Sequence, residues 1–277
     1  MQNVENEFEE KVVHTFKKYG LAGKKDRIAV ASSGGKDSTA VLYILKKMGL
    51  DIFAIHINLG IGEWSDKNQK NLEQFCLEND IPLRIVHSKK EFGKPITELR
   101  SVVLLRKGNL RNCAVCGVIR RWILNKKAKE FGATALATGH NLDDEAQTVL
   151  MNLFRGSPDQ GLGKGPKSTG NTGFIKKIKP LYFCTEKEVE TYSRLKKFPV
   201  IYQPCPCSFD ASRQDTKEWM WKIEKKYPGT EKRIVEQFLS LTKKMEIKNK
   251  KTFKCSSCGE PSRSDFCMAC RFLELSE

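Results

Sequence analysis

The chain has 277 residues and a formal net charge of +16, because 49 lysine and arginine residues outnumber 33 aspartate and glutamate residues. This length accommodates one large domain with a small appendage, and the charge favours a polyanionic partner. No apolar run reaches the 18 residues of a transmembrane helix, and the acidic start of the chain lacks the apolar core of a secretory signal, so we expect a cytoplasmic protein with no membrane association.

Strand and helix patterns alternate along most of the chain. Short apolar runs predict strands at residues 27–32, 51–59, 82–87, 134–138 and 174–181. Apolar residues at helical spacing predict a first helix ending near Gly20, then helices at 39–50, 65–79 with Ser65 as N-cap, 114–131, a helix capped by Asn141, and helices at 186–197 and 215–248. Residues 96–112 match neither pattern. The alternation predicts an α/β fold with a doubly wound parallel sheet, in which ligands bind at the carboxyl ends of the strands.

A glycine loop, residues 33–38 with the sequence Ser-Gly-Gly-Lys-Asp-Ser, joins the first predicted strand to the next helix. Its glycines let backbone N–H groups approach an anion, and the helix N-terminus and Lys36 add positive charge, so we predict phosphate binding. The glycine spacing excludes a Walker A loop. The loop resembles the PP-loop of ATP pyrophosphatases, which implies a site for the pyrophosphate end of ATP. A glycine turn without a ligand is the alternative.

Cys113 and Cys116 form a Cys-x-x-Cys pair at the start of a predicted helix, and Cys205 lies far downstream. The helix N-terminus and Arg120 predict lowered thiol pKa values. The pair alone is compatible with a redox dithiol, half a zinc site or part of an iron–sulfur site. Together with a third cysteine from residues 204–208, either Cys205 or Cys207, it would hold a 4Fe–4S cluster and leave one iron open to a sulfur atom. Buried structural cysteines are the alternative.

A polar turn follows the fourth predicted strand, with Gly139 in the turn and Asp143 and Asp144 in the first turn of the next helix. Carboxylates are favoured at a helix N-terminus, so capping explains one of them. The other interpretation is a carboxylate that binds Mg²⁺ or acts on the substrate. His56, at the end of the second predicted strand, either lines an adenine pocket or packs in the core, and we expect its backbone rather than its ring to serve the pocket.

Four cysteines near the C-terminus form a pair of Cys-x-x-Cys motifs with eight residues between them: Cys255, Cys258, Cys267 and Cys270. Thiolates at this spacing close a tetrahedral Zn²⁺ site. The surrounding segment has almost no hydrophobic core, so a metal would supply its folding free energy. The pattern therefore predicts structural zinc, with a labile cluster as the competing interpretation.

These motifs together resemble the TtcA/TtuA family of PP-loop tRNA thiolases. The matching segments are residues 32–38, 113–117 with Arg120 and Arg121, 137–148, Cys205-Pro206 and the terminal cysteine module, so that the resemblance covers about residues 25–277. The residues at Gly117 and at 141–144 are more similar to those of the TtuA and NcsA branch, which thiolates uridine, than to those of the TtcA branch, which thiolates cytidine. The sequence departs from that branch in two ways, since its first cysteine is Cys76 and Cys207 stands where relatives often carry an aromatic residue.

The resemblance implies ATP-dependent synthesis of 2-thiouridine in tRNA, by adenylation of the C2 oxygen followed by sulfur transfer through a 4Fe–4S cluster on Cys113, Cys116 and Cys205. It places Asp37, Asp144 and Arg120 at the reacting centre. The residues implied for ATP and Mg²⁺ are Ser32, Ser33, Gly34, Gly35, Lys36, Asp37, Ser38, His56, Ile57, Gly139, Asp143 and Asp144. The implied partners are tRNA and a sulfur donor, namely sulfide, a persulfide or a thiocarboxylated carrier protein.

We divide the chain into an N-terminal helix (1–24), a PP-loop and cluster domain (25–208), a helical extension (209–252) and a zinc module (253–277). In the extension we expect Trp219 and Trp221 to pack in the core, with base stacking as the alternative. Two other functions stay open: an ATP pyrophosphatase with another acceptor, as in lysidine synthetase, and a redox-sensing iron–sulfur protein that binds RNA. The sequence holds nothing that decides between a monomer and a homodimer.

Overall fold

A computed structural model describes residues 2–106, 112–157, 165–168, 173–208, 213–244 and 252–275. Its main sheet has five parallel strands in the order β3-β2-β1-β4-β5. These strands are β1 (Ile28–Ala31), β2 (Ile52–Asn58), β3 (Leu83–His87), β4 (Ala135–Ala137) and β5 (Lys176–Ile178). The strand order reverses between β1 and β4, and such a reversal opens a crevice at the carboxyl ends of the strands. The predicted doubly wound sheet is confirmed.

Helices cover both faces of this sheet. They are α1 (Gln2–Lys18), α2 (Lys36–Lys47), α3 (Gly62–Glu78), α4 (Ser88–Phe92), α5 (Ile96–Arg106), α6 (Asn112–Glu130), α7 (Leu142–Phe154), α8 (Glu186–Leu195), α9 (Arg213–Lys226), α10 (Thr230–Lys244) and α11 (Met268–Glu274). Ile28 and Val30 of β1 face a core shared with α1, α2 and α8, whereas Ala29 faces a second core shared with α5, α6 and α11. Because the central strands are buried on both faces, their sequences are continuous apolar runs. No helix in the described ranges is long and apolar enough to cross a bilayer.

The structure assigns one segment that the sequence left open and corrects one predicted helix start. Residues 96–106 form α5. Its buried residues are Ile96, Leu99 and Val103, but the apolar Leu105 is exposed, which obscures the helical spacing of apolar residues in the sequence. Helix α3 begins before Ser65, whose hydroxyl instead accepts a hydrogen bond from the Ile61 N–H at 3.0 Å.

The helical pattern predicted at 215–248 corresponds to two helices, α9 and α10. They are separated by a turn that contains Gly229 at φ +82°. Trp219 and Trp221 are 47% and 62% exposed, so their expected core packing was wrong. The predicted extension also includes residues 209–212 and 245–251, which lie outside the described residues.

The terminal cysteine module packs against α6. It contains a small antiparallel pair, β6 (Phe253–Lys254) and β7 (Pro261–Ser262), and then α11. Asn125 of α6 donates a hydrogen bond to the Glu260 carboxylate at 2.6 Å, and Lys129 forms an ion pair with the same carboxylate at 2.7 Å. The module therefore stands next to the helix that carries Cys113 and Cys116.

Candidate active site

The glycine loop forms the anion-binding turn at the end of β1. Gly34 has φ +81°, and a Cβ atom there would lie 3.0 Å from the Asn68 carbonyl oxygen, so only glycine fits. The Ser38 hydroxyl accepts from the Ser33 N–H at 3.2 Å and donates to the Gly35 carbonyl at 3.1 Å, which holds the turn in shape. No side chain of the described chain caps the N-terminus of α2. Its first N–H groups therefore remain suited to a phosphate.

Lys36 is held at this turn by two carboxylates. Its Nζ lies 3.0 Å from Asp37 Oδ2 and 3.4 Å from Glu186 Oε1. Burial lowers the pKa of Lys36, but the two carboxylates outweigh burial and raise that pKa above its ordinary value. The lysine is therefore charged at neutral pH, as phosphate binding requires. Nothing in the local sequence around the loop pointed to Glu186, which stands at the start of α8.

Gly139 brings the turn after β4 against the glycine loop. A Cβ atom at Gly139 would lie 2.9 Å from both Asp37 Cβ and the Ser38 nitrogen. The Asn141 side chain bridges the same gap by donating to Asp37 Oδ1 at 3.1 Å. The two motifs predicted at strand ends therefore form one site.

The Gly139→Ala substitution is expected to weaken ATP binding at least about tenfold, because overpacking of about 1–3 kcal/mol would displace the start of α2. Calorimetric titration with ATP measures the change in affinity. Gly23→Ala is the control, since its Cβ atom would lie 3.9 Å from the nearest atom, Asp26 Oδ2. Equal ATP affinity in both variants and the parent would contradict the close approach.

Asp143 and Asp144 have different surroundings. Asp144 and Asn141 form a reciprocal capping box at the start of α7, and Asp144 Oδ1 also pairs with Arg213 Nη1 at 2.5 Å. Asp144 lines a cleft of about 340 Å³ together with Asp37. Asp143 instead accepts from the Glu186 N–H at 2.7 Å and lines a different cavity. Asp144 is thus the carboxylate that faces the glycine loop, and Arg213 is a partner that the sequence analysis missed.

Four thiols line a neighbouring cavity of about 280 Å³, those of Cys113, Cys116, Cys205 and Cys207. Ser32, Ser33, His56 and Ile57 line its other side, and Cys113 Sγ lies 4.0 Å from the Cys207 carbonyl oxygen. The cavity and the Asp144 cleft share the lining residues Ala31, Ser33, Gly117, Arg120 and Leu124. The structure therefore brings the three predicted cluster ligands together beside the glycine loop. Arg120 lies where the two cavities meet.

Burial dominates the electrostatics of two of these thiols, Cys116 and Cys205. It raises the pKa of Cys116, although Arg120 opposes the shift, and it raises the pKa of Cys205. The lowered pKa expected for Cys116 from the helix N-terminus was therefore wrong for the metal-free protein. Iron would deprotonate such thiols on binding, so soft sulfur ligands of this kind fit an iron–sulfur cluster.

His56 lines the same cavity as the four thiols. It is 3% exposed, and its Nδ1 lies 2.9 Å from the Ser32 carbonyl oxygen. Its Nε2 has no hydrogen-bond partner among the described residues. Burial lowers the pKa of His56, so the ring is neutral at pH 7.

The sulfurs of Cys255, Cys258, Cys267 and Cys270 all lie within 4.8 Å of one another. Cys258 and Cys267 Sγ are 3.8 Å apart. A tetrahedral zinc ion with bonds of about 2.3 Å separates its sulfurs by about 3.8 Å. A cubane cluster is larger than one ion and spreads its ligands farther apart. The donor set and its spacing therefore fit a single metal ion.

Comparison with known proteins identifies the family of this chain. The PP-loop domain model matches residues 4–204. The tRNA-5-methyluridine(54) 2-sulfurtransferase of Pyrococcus horikoshii is 39% identical over 97% of this chain and 85% of its own. The tRNA 2-thiolation protein NcsA of Haloferax volcanii is 35% identical over 90% of this chain and 82% of its own.

A solved structure, the U34-tRNA thiolase NcsA of Methanococcus maripaludis with its [4Fe-4S] cluster, superposes with a TM-score of 0.82. It is 30% identical, and the match covers 98% of this chain and 87% of that one. The family model, the relatives and the solved structure agree with one another. The chain therefore belongs to the PP-loop family of tRNA 2-sulfurtransferases that includes TtuA and NcsA.

Proposed function

We propose that this protein uses ATP to replace the C2 oxygen of a tRNA uridine with sulfur. The observation that carries this proposal is that two cavities share lining residues, one cavity being lined by cysteine thiols and the other by Ser33 and Ser38 of the glycine loop with Asp37 and Asp144. A uridine at their shared boundary would meet an activating phosphate on one side and a sulfur source on the other.

The first half-reaction is adenylation. The N–H groups at the start of α2 and the Lys36 charge bind the phosphates of ATP, and Asp144 with Asp37 provides the oxygen ligands that Mg²⁺ prefers. The uridine C2 oxygen attacks the α-phosphate, and pyrophosphate leaves. Arg120, at the boundary, stabilises the negative charge that develops there. Mg²⁺ would compete with Arg213 for Asp144.

The second half-reaction is sulfur transfer. Cys113, Cys116 and Cys205 would hold a 4Fe–4S cluster, which supplies an iron site for a sulfur atom. Sulfur attacks C2, and AMP leaves with the former C2 oxygen. The donor in the cell is sulfide, a persulfide or a thiocarboxylated carrier protein. Since Caenorhabditis elegans has a relative named cytoplasmic tRNA 2-thiolation protein 1, we place the reaction in the cytoplasm.

Mass spectrometry of tRNA nucleosides tests the proposed function. The protein is reconstituted anaerobically with iron and sulfide and then incubated with ATP, Mg²⁺, sulfide and tRNA lacking thiolation. We expect a 2-thiouridine that disappears when ATP or iron is omitted. Mapping it to position 34 or 54 assigns the target nucleotide, since the relatives differ there. Modification without sulfur would favour a lysidine-type acceptor, and absence of any modified base would contradict the proposal.

We further propose that the four C-terminal cysteines bind one zinc ion. Cys258→Ser is expected to remove the zinc and to lower Tm by several degrees, because the metal organises a segment with few other core residues. Elemental analysis and calorimetry of the purified protein measure both. Arg263→Ala, which changes an exposed residue of the same module, is the control. Iron instead of zinc in this module, after mutation of Cys113, Cys116 and Cys205, would contradict the assignment.

Helix α9 offers a surface for tRNA. Exposed Trp219 and Trp221 lie beside exposed Phe154, whose ring centroid is 6.2 Å from that of Trp219. Lys225 Nζ lies 5.3 Å from the Trp221 ring. Aromatic rings with interleaved lysines suit unpaired bases and phosphates. Arg213 links the start of the same helix to Asp144 in the cleft.

Trp221→Ala is expected to weaken tRNA binding about 5- to 150-fold, the effect of losing roughly 1–3 kcal/mol of base stacking. Filter binding at fixed salt measures it, with ATP affinity unchanged. Leu77→Ala removes another side chain, 82% exposed on α3, and serves as the control. Equal tRNA affinity for the two variants would exclude this surface.

A further inference from the structure

Cys207 is a fourth thiol in the cavity of the proposed cluster ligands, and the reaction described above does not use it. It follows Cys205 by two residues, on a turn closed by the Ser208 N–H and hydroxyl, which donate to the Cys205 carbonyl at 2.9 and 2.6 Å. Its carbonyl oxygen lies 4.0 Å from Cys113 Sγ. One short turn therefore presents two thiols to the pair on α6.

The four thiols interact with one another. Cys207 and Cys113 both act electrostatically on Cys205. Cys116 experiences the charges of both Cys205 and Cys207. By contrast, Cys76 and Cys184 are 3% and 0% exposed and pack in the opposite core. Cys207 therefore belongs to the site by position and is not a core cysteine.

We propose that Cys207 is a fourth, exchangeable thiolate ligand of the cluster held by Cys113, Cys116 and Cys205. This inference rests on the proposed function, because it assumes that the cluster is present. A 4Fe–4S cluster binds four thiolates when four are available. Here Cys207, the fourth, lies on the same turn as Cys205, the third. An incoming hydrosulfide replaces Cys207 on iron: one iron–sulfur bond forms, the bond to Cys207 breaks, and Cys207 leaves as a thiolate without electron transfer.

Spectroscopy of reconstituted protein tests this ligand without measuring activity. Wild type, Cys207→Ala, Cys207→Ser and Ser208→Ala are loaded anaerobically with iron-57 and sulfide. In wild type and Ser208→Ala we expect no distinct iron subsite by Mössbauer spectroscopy, and retention of all irons after mild ferricyanide oxidation. Both Cys207 variants are expected to show one distinct iron and to yield the EPR signal of a 3Fe–4S cluster on oxidation. Ser208→Ala controls for changes in the turn.

The outcomes separate the inference from the function on which it rests. A distinct, labile iron in wild type, unchanged in Cys207→Ala, would overturn the fourth ligand and leave the three-cysteine cluster in place. A wild type that binds no cluster would overturn the proposed function and this inference together. Unchanged zinc content and thermal unfolding in Cys207→Ala would show that the variant is folded.

Discussion

Cys113→Ala is expected to abolish tRNA thiolation while leaving ATP binding unchanged. Cys113 is exposed at the start of α6 and lines the thiol cavity, but it does not line the cleft of Asp37 and Asp144. Loss of a cluster ligand should reduce 2-thiouridine formation at least about 100-fold, since even residues that only orient metal ligands contribute 10- to 100-fold. Nucleoside mass spectrometry and ATP titration measure the two effects separately.

Ala114→Ser is the matched control for Cys113→Ala, because Ala114 is the exposed neighbour on the same helical turn. It should retain both thiolation and ATP binding. If Cys113→Ala keeps full turnover of ATP and of a modified tRNA base, sulfur chemistry is not the function. The acceptor would then be an amine, as in the lysidine-type alternative.

Lys36→Ala is expected to have the opposite effect: the cluster forms normally, but adenylation fails. Lys36 is the cation at the glycine loop, held by Asp37 and Glu186. Loss of a group that stabilises transition-state charge costs roughly 10²- to 10³-fold in rate. Release of pyrophosphate in the presence of tRNA measures this, while visible absorbance monitors the cluster.

Lys47→Ala is the control for Lys36→Ala. Lys47 is at the other end of α2 and forms a surface ion pair with Glu9 at 2.6 Å. Such pairs contribute roughly 0–1 kcal/mol to stability, so the rate of pyrophosphate release should not change. Undiminished pyrophosphate release by Lys36→Ala would show that ATP is activated elsewhere.

Much of this site could be predicted from sequence because its motifs stand at the junctions of strands and helices. Parallel strands end at one edge of the sheet, so the loop at 33–38 and the turn at Gly139 had to meet. The paired Cys-x-x-Cys motifs likewise lie within one short segment, where spacing alone constrains geometry. Local sequence is sufficient wherever one element carries the whole motif.

Partners supplied from distant parts of the chain escaped prediction. Glu186 reaches Lys36 across 150 residues, and Arg213 reaches Asp144 across 69. Such contacts depend on how α8 and α9 pack over the sheet, which no local pattern encodes. The same limit explains Cys116, since helix position predicted a lowered pKa but tertiary burial raises it. It also explains Trp219, which we expected to pack in the core although its side chain is exposed.

The fate of the uridine C2 oxygen tests the central claim most directly. A tRNA substrate carrying oxygen-18 at C2 of the target uridine is incubated with the reconstituted protein, ATP, Mg²⁺ and sulfide. If the C2 oxygen attacks the α-phosphate in the cleft and sulfur then replaces it, each 2-thiouridine formed should accompany one AMP that contains oxygen-18. AMP without the label, together with thiolated tRNA, would contradict adenylation of the base and the account built on it.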